Sequence, residues 1–204
     1  PEWEPHKATW MGFPTGAYDT AGVSDDDVFD AWAQVANTVS EHEPVHMLCH
    51  PQHAKVARKK LAGVVSIHEV EIDDAWLRDS GPTFVVGDAG LGGVDWVFNG
   101  WGDHTAFDWA RDAKIAQYII DLTGAELITS NLVNEGGGIT VNGSGDVLLT
   151  RTVQLDPGRN PAASALEVES EIHRRLGTQR AIWFEEGLWR DYQEHGTRGH
   201  VDMI

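Results

Sequence analysis

The sequence has little positive charge. Fifteen Lys and Arg residues stand against 32 Asp and Glu residues, which gives a formal net charge of −17. Proteins that bind nucleic acid place patches of Lys and Arg against the phosphates, so this balance argues against a nucleic-acid partner. A field of this sign attracts cations, including a guanidinium or polyamine substrate, although acidity can also serve solubility alone.

Cysteine and long apolar runs are also scarce. The single cysteine, Cys49, excludes an internal disulfide framework. No apolar run approaches the ~18 residues that a membrane-spanning helix needs. Residues 1–10 lack the basic and apolar stretches of a secretory signal. We therefore expect a cytoplasmic protein with no membrane partner.

Hydrophobic patterns alternate between helical and extended spacing along the chain, which predicts an α/β fold. Helices are predicted over residues 25–43, from His50 onward, over 109–123 and over 161–176. Strands are predicted at 45–49, 66–72, 83–86, 94–98, 126–129, 139–142, 147–150 and 181–184. The turn signal Asn142-Gly143-Ser144-Gly145 predicts a hairpin between the strands that flank it. No linker divides the chain, so we expect residues 1–204 to form one domain.

Three polar segments follow predicted strands, at residues 72–79, 131–138 and 185–200. They contain or adjoin the candidate functional side chains Asp79, Glu135, His200 and Asp202. On an extended chain, residues two apart face the same side, so His200 and Asp202 are expected to project together. An imidazole beside carboxylates suits general acid/base chemistry.

Three kinds of site are open to these residue types. The four could bind a divalent metal, although an HExxH pattern and a Cys/His cluster are both lacking. Ser80 could be a nucleophile activated by His200, although no GxSxG turn surrounds it. The acids could form a cage for a guanidinium, whose planar N–H groups pair bidentately with carboxylates. The acidic field agrees with the third. These side chains could also have only structural roles, in which Arg78 pairs with Asp79 and His200 pairs with Asp202.

Six motifs occur in order along the chain. They are Pro1-Glu2-Trp3-Glu4-Pro5-His6 with Thr9-Trp10-Met11, Trp76-Leu77-Arg78-Asp79-Ser80-Gly81-Pro82, Phe98-Asn99-Gly100-Trp101-Gly102, Asn134-Glu135-Gly136-Gly137, Arg159-Asn160-Pro161 and Gly199-His200-Val201-Asp202. Together they resemble the agmatine deiminase and bacterial (Porphyromonas-type) peptidylarginine deiminase family of guanidine-modifying enzymes. The resemblance runs from end to end of the 204 residues. It implies a pseudo-fivefold α/β propeller of ββαβ-type blades, of which this chain would contain about three.

The resemblance also implies a reaction, the hydrolytic deimination of a guanidino group. In this family a cysteine attacks the guanidinium to give a thiouronium intermediate, and agmatine becomes N-carbamoylputrescine and ammonia in polyamine biosynthesis. By motif, Asp79 and Asp202 would hold the guanidinium, His200 would be the general acid/base, and Glu135 would orient His200 or the substrate. Trp76 and Trp101 would wall the pocket and stack on the cation. No metal or cofactor is implied.

The sequence departs from the family in two respects. The family's nucleophilic cysteine lies in a C-terminal region that these residues do not include, and Cys49 lies in an apolar strand where a buried, inert thiol is expected. We therefore expect an N-terminal portion of the propeller that is inactive alone, completed by a C-terminal segment or present in a homo-oligomer. Arg198 stands where agmatine deiminases usually have an acid. A peptidylarginine or other guanidino-compound deiminase, and a catalytically dead guanidine-binding fragment, thus remain alternatives.

Overall fold

The computed structural model describes residues 1–16, 22–103, 108–193 and 196–204. Within these ranges the chain forms two compact units. The N-terminal unit is Glu2–Leu77, and the C-terminal unit is Arg78–Ile204 together with Pro1. The first contains one three-stranded sheet and the second contains two, each accompanied by helices, so the prediction of an α/β fold is confirmed.

The sheet of the N-terminal unit is parallel, with strand order β1-β2-β3. Its strands are β1 (Thr9–Gly12), β2 (Val45–Cys49) and β3 (Ser66–Glu69). The helices Asp25–Ser40 and Ala54–Lys60 connect them. Ser24 caps the first of these helices, since its side chain accepts a hydrogen bond from the N–H of Asp27. Strand β2 is buried except at the partly exposed His46, which agrees with the apolar character of its other four residues.

The second sheet, in the C-terminal unit, pairs β4 with β5 antiparallel and β5 with β6 parallel. Its elements are β4 (Thr83–Gly87), β5 (Gly90–Val97), the helix Ile115–Thr123 and β6 (Glu126–Val133). The helix comes very close to β5, because a Cβ at Gly93 would lie 2.5 Å from Cγ1 of Ile120. Strand β6 leads directly into Asn134 and Glu135.

The third sheet repeats this arrangement, with β7 and β8 antiparallel and β8 and β9 parallel. Its elements are β7 (Thr140–Val141), β8 (Asp146–Thr150), the helices Arg151–Gln154 and Ala165–Leu176, and β9 (Arg180–Phe184). The predicted hairpin around residues 142–145 is confirmed. Residues from the second and third sheets share one hydrophobic core, which includes Val94, Trp96, Val147 and Leu149.

Several predicted boundaries are wrong. Strand β1 was not predicted, and the strand predicted over 66–72 ends at Glu69. A short helix at Leu77–Ser80 was not predicted. The helix predicted from Trp109 begins at Ile115, after a 3-10 turn at Asp112–Lys114. In the ranges that the structure describes, no helix combines the length and apolarity needed to cross a membrane.

Candidate active site

The C-terminal unit brings Asp79, Glu135 and His200 together although they are far apart in the sequence. Asp79 lies on the short helix Leu77–Ser80, Glu135 follows β6, and His200 precedes a 3-10 turn at Val201–Met203. The His200 ring is buried between the two acids. Its Nε2 lies 3.3 Å from Oε2 of Glu135, and its Nδ1 lies 3.7 Å from Oδ1 of Asp79. Both ring nitrogens therefore face a carboxylate.

Glu135 is fully buried and its charge is compensated by Arg159. Nε of Arg159 donates to both carboxylate oxygens of Glu135, at 2.9 and 3.1 Å. The other guanidinium nitrogens donate to Oδ2 of Asp156 at 2.8 Å and to the carbonyl oxygen of Thr197 at 2.9 Å. Sequence reasoning assigned no role to Arg159, although its Arg-Asn-Pro motif was among those that carried the resemblance.

These contacts set the protonation of the Glu135 and His200 pair. Burial opposes ionisation of Glu135, but the charge of Arg159 and the hydrogen bonds from His200 and Arg159 hold the pKa of Glu135 below its ordinary value. Burial likewise opposes a charged His200. The hydrogen bond to Glu135 and the charge of Asp79 outweigh it and raise the pKa of His200. The raised pKa favours the imidazolium form of His200, in which Nε2 donates to Glu135 and Nδ1 faces the carboxylate of Asp79 without a hydrogen bond.

Asp79 differs from Glu135, whose charge Arg159 compensates, because the cationic partner of Asp79 is the His200 ring. Burial raises the pKa of Asp79, while the charge of His200 acts in the opposite direction. Its Oδ2 accepts a hydrogen bond from Nε1 of Trp101 at 2.9 Å, and its Oδ1 accepts one from the N–H of Gly137 at 3.0 Å. An acid in this condition gains stabilisation when a cation arrives beside it.

Trp101 adopts a left-handed backbone conformation, with φ 59° and ψ 43°, in the interrupted turn Gly100–Asp103. Its indole N–H donates to Asp79, and its ring meets Phe98 edge-on with a centroid distance of 5.2 Å. The predicted pocket-wall residue is therefore directly bonded to one of the predicted substrate acids.

The glycines after Glu135 are required by close packing. A Cβ at Gly137 would lie 2.3 Å from Nδ1 of His200 and 2.9 Å from Oδ1 of Asp79. A Cβ at Gly136 would lie 2.0 Å from the carbonyl oxygen of Arg78. Any side chain at either position would displace the groups that form the site.

The expectation that His200 and Asp202 lie on an extended chain is wrong. The 3-10 turn after His200 advances about 120° per residue, so residues two apart no longer share a face. His200 turns inward, while Oδ2 of Asp202 lies 3.3 Å from Nε of Arg78. The Asp202 side chain is 21% exposed. Asp202 therefore forms an ion pair with the guanidinium of Arg78.

The family model for Porphyromonas-type peptidyl-arginine deiminase matches residues 1–204. The chain belongs to this family. A Streptomyces coelicolor protein named "Putative agmatine deiminase" is 51% identical over 100% of this chain and 61% of its own length. An agmatine deiminase of Pseudomonas aeruginosa (strain LESB58) is 38% identical over 98% of the chain and 55% of its own.

Solved structures of the family have the same fold. The structure titled "Agmatine deiminase of Enterococcus faecalis catalyzing its reaction" matches with a TM-score of 0.88 and 32% identity. That match covers 98% of this chain and 55% of the other. The chain thus spans little more than half the length of the family members that it matches.

Two further predicted features lie outside the buried cluster of this deiminase-family chain. Trp76 belongs to the N-terminal unit, where it is 44% exposed and meets Trp32 edge-on at 5.9 Å. Its role as a pocket wall stays a prediction. Nε of Arg198 lies 3.9 Å from Oδ2 of the buried Asp156, which offsets part of the positive charge at that position.

The alternative chemistries receive no support from the geometry. Among the described residues, no group of three or more His, Cys, Asp or Glu is arranged to hold a metal ion. Ser80 is buried, and both nitrogens of His200 face carboxylates instead of a hydroxyl. Cys49 is fully buried, so the expectation of a buried thiol is confirmed, and burial raises the pKa of that thiol to about 11, which disfavours the reactive thiolate.

Proposed function

We propose that this chain provides the substrate-holding and acid/base residues of a guanidino-group hydrolase, with agmatine as the preferred substrate. The observation that carries the proposal is the buried arrangement in which His200 lies between Asp79 and Glu135. The acidic net charge favours a cationic substrate in addition.

Asp79 and Asp202 are the proposed partners of the substrate guanidinium. Burial raises the pKa of Asp79, so an approaching cation stabilises its ionised form. Asp202 already contacts the guanidinium of Arg78 in a partly open position. A substrate guanidinium would exchange with that of Arg78 and pair with both acids through its planar N–H groups.

The proposed reaction uses His200 twice. A thiolate forms a bond to the guanidinium carbon, and the C–N π electrons move to nitrogen. The His200 imidazolium then donates a proton to one amino group of the tetrahedral adduct, and that group leaves as ammonia. Neutral His200 next accepts a proton from water as the water oxygen bonds to the thiouronium carbon. As the C–S bond breaks, the electron pair of that bond leaves with the thiolate, the adduct's hydroxyl becomes the ureido carbonyl, and its proton passes to solvent, where ammonia takes it up as ammonium. Glu135 keeps the ring oriented throughout.

The nucleophilic thiol in this proposal lies outside the 204 residues. Cys49 is unsuited because its thiol is buried and its raised pKa of about 11 disfavours the thiolate. In the complete protein, we propose that the three sheets are blades of one pseudo-fivefold propeller domain. The shared order of strand, strand, helix and strand in the second and third sheets supports this.

The proposal is tested by titrating the purified chain with agmatine in a calorimeter. Asp79→Asn should weaken agmatine binding about tenfold or more, because it removes a charge-assisted pair. Asp146→Asn is the matched control, since Asp146 is a hydrogen-bonded acid of the same unit whose partners are Asn142 and Arg180. A peptide arginine compared in parallel tests the effect of Arg198 on the tail of the substrate.

A turnover assay on the same sample completes the test. No ureido product should form from agmatine, because the chain lacks a competent thiol. Equal affinity of the wild-type chain and the D79N variant for agmatine would contradict the assignment of Asp79. Product formation by the chain alone would contradict the assignment of the thiol to another segment.

A further inference from the structure

Asp191, which lies on the 3-10 turn Trp189–Tyr192, accepts four hydrogen bonds from the segment that leads into His200. Its Oδ1 accepts from the N–H of Thr197 at 3.0 Å. Its Oδ2 accepts from the Thr197 hydroxyl at 2.5 Å, the N–H of Gly199 at 2.8 Å and the N–H of His200 at 2.9 Å. The Asp191 carboxylate therefore accepts most of the hydrogen bonds that the N–H and hydroxyl groups of residues 197–200 donate.

The segment needs this support because its backbone is unusual. Arg198 and Gly199 are both in the left-handed region, with φ of 72° and 107°. That conformation is unfavourable for a residue with a Cβ, such as Arg198. Successive N–H groups in such a loop converge to form a concave site for an anion. The carboxylate of Asp191 is the anion in this case.

The hydrogen bonds also keep Asp191 charged. Burial would raise its pKa, but the bonds from Thr197, His200 and Gly199 outweigh burial and hold the pKa of Asp191 below its ordinary value. Asp191 therefore remains an anion at neutral pH.

The carbonyl groups of the same segment have different partners. Nη2 of Arg159 donates to the carbonyl oxygen of Thr197 at 2.9 Å, and Oγ1 of Thr150 donates to that of Gly199 at 2.6 Å. Asp191 thus holds the N–H side of the segment, while Arg159 and Thr150 hold the carbonyl side. Arg159 also holds Glu135, so the backbone of His200 and the acceptor of its ring are fixed to one framework.

We propose that Asp191 is a positioning residue for His200. It fixes the backbone N–H of His200 so that the imidazole lies between Asp79 and Glu135. The importance of this position for catalysis rests on the proposed function, but the positioning itself can be measured without turnover.

The experiment is an NMR titration of the His200 ring in the full chain, with the signal assigned by its loss in His200→Gln. The charged groups that face the ring are Asp79, Glu135 and Arg159. In Asp191→Asn an NH₂ group replaces one acceptor and faces N–H donors, so the segment should move. The His200 ring then loses its hydrogen bond to Glu135, and the pKa of His200 should shift down toward that of an exposed imidazole. Asp146→Asn should leave the pKa of His200 unchanged.

An unchanged His200 pKa in a folded D191N variant would overturn the proposal. If circular dichroism shows that D191N does not fold, Thr197→Ala takes its place, because it keeps the Asp191 carboxylate and removes the hydroxyl that donates to Asp191 and accepts from the N–H of His200. T197A should shift the His200 pKa part of the way, and no shift would overturn the proposal equally. If the wild-type chain fails to bind agmatine while D191N still lowers the His200 pKa, the proposed function is wrong and the positioning role stands.

Discussion

Five ionisable side chains of the C-terminal unit form a cluster in which neighbouring members carry opposite charges. Asp156, Arg159, Glu135, His200 and Asp79 follow one another, with successive contacts of 2.8, 2.9, 3.3 and 3.7 Å. Removing one member of a buried pair leaves an uncompensated charge and costs about 3–5 kcal/mol. The cluster therefore depends on having every member in place.

Gly137 offers a direct test of how tightly this cluster is packed. Gly137→Ala should displace the His200 ring, because its Cβ would lie 2.3 Å from Nδ1, and agmatine affinity should fall about tenfold or more. Gly87→Ala is the matched control, since a Cβ there meets nothing within 4 Å. Calorimetric titration of both variants decides the matter, and equal agmatine affinities would contradict the packing argument.

The sequence indicated some site residues better than others. The carboxylates and the imidazole were recognisable because they stand in polar segments at the ends of apolar strands. Asp191 was missed because a side chain that accepts from the backbone of a distant loop leaves no spacing pattern in the sequence. Asp202 was misplaced because the two-residue period of a strand was applied to a 3-10 turn.

Among the elements, the helix Ala165–Leu176 has the most complete local signals. Ser164 and Glu167 form a capping box, and Gly177 ends the helix in a left-handed conformation. Buried Val168 and Ile172 join the shared core. Propensity, capping and burial all agree for this helix. The predicted end at residue 176 is correct, although the predicted start at residue 161 precedes the observed start at Ala165.

Ser164→Ala should lower the free energy of unfolding by about 1 kcal/mol, because the N–H of Glu167 loses its side-chain acceptor. Ser144→Ala, in the hairpin turn, serves as the comparison, since it is the N–H of Ser144 that donates to Oδ1 of Asn142. Urea unfolding of the two variants measures the difference. A loss no larger in S164A than in S144A would refute the capping contribution.

Elements that depend on distant partners were the ones that sequence patterns missed. Strand β1 has only four residues and owes its pairing to β2. Trp109 was expected to begin a helix but packs against the turn at Gly100, where a Cβ would lie 2.3 Å from its Cδ1. Such tertiary contacts override the local apolar spacing that suggested a longer helix.

For the molecule as a whole, the buried imidazole makes stability depend on pH. The folded pKa of His200 is raised, so its contribution to stability is fully present below the unfolded pKa and is lost as pH rises through the folded pKa. The pKa of Glu135 is lowered, so its contribution is lost only as pH falls through that depressed value. The pair is therefore most stabilising in mildly acidic solution.

Denaturant unfolding at about pH 6 and about pH 9 should show this dependence. The wild-type chain should lose more stability across the interval than His200→Gln, because the variant has no imidazole to titrate there. The signal should come from amide resonances of the C-terminal unit, in which His200 lies. Equal losses in the two proteins would show that His200 is not the group responsible.

Because Cys49 is buried, its reaction with a thiol reagent can report transient local unfolding of the N-terminal unit. It is the only thiol, and it is sealed in β2 of the N-terminal unit. A thiol reagent can modify the native protein only during moments when that strand becomes accessible, so the rate of modification counts those moments directly. Because buried Cys49 does not react with such reagents in the native state, a cysteine introduced on the exposed hairpin, such as Ser144→Cys, would be labelled selectively by a fluorescent thiol reagent.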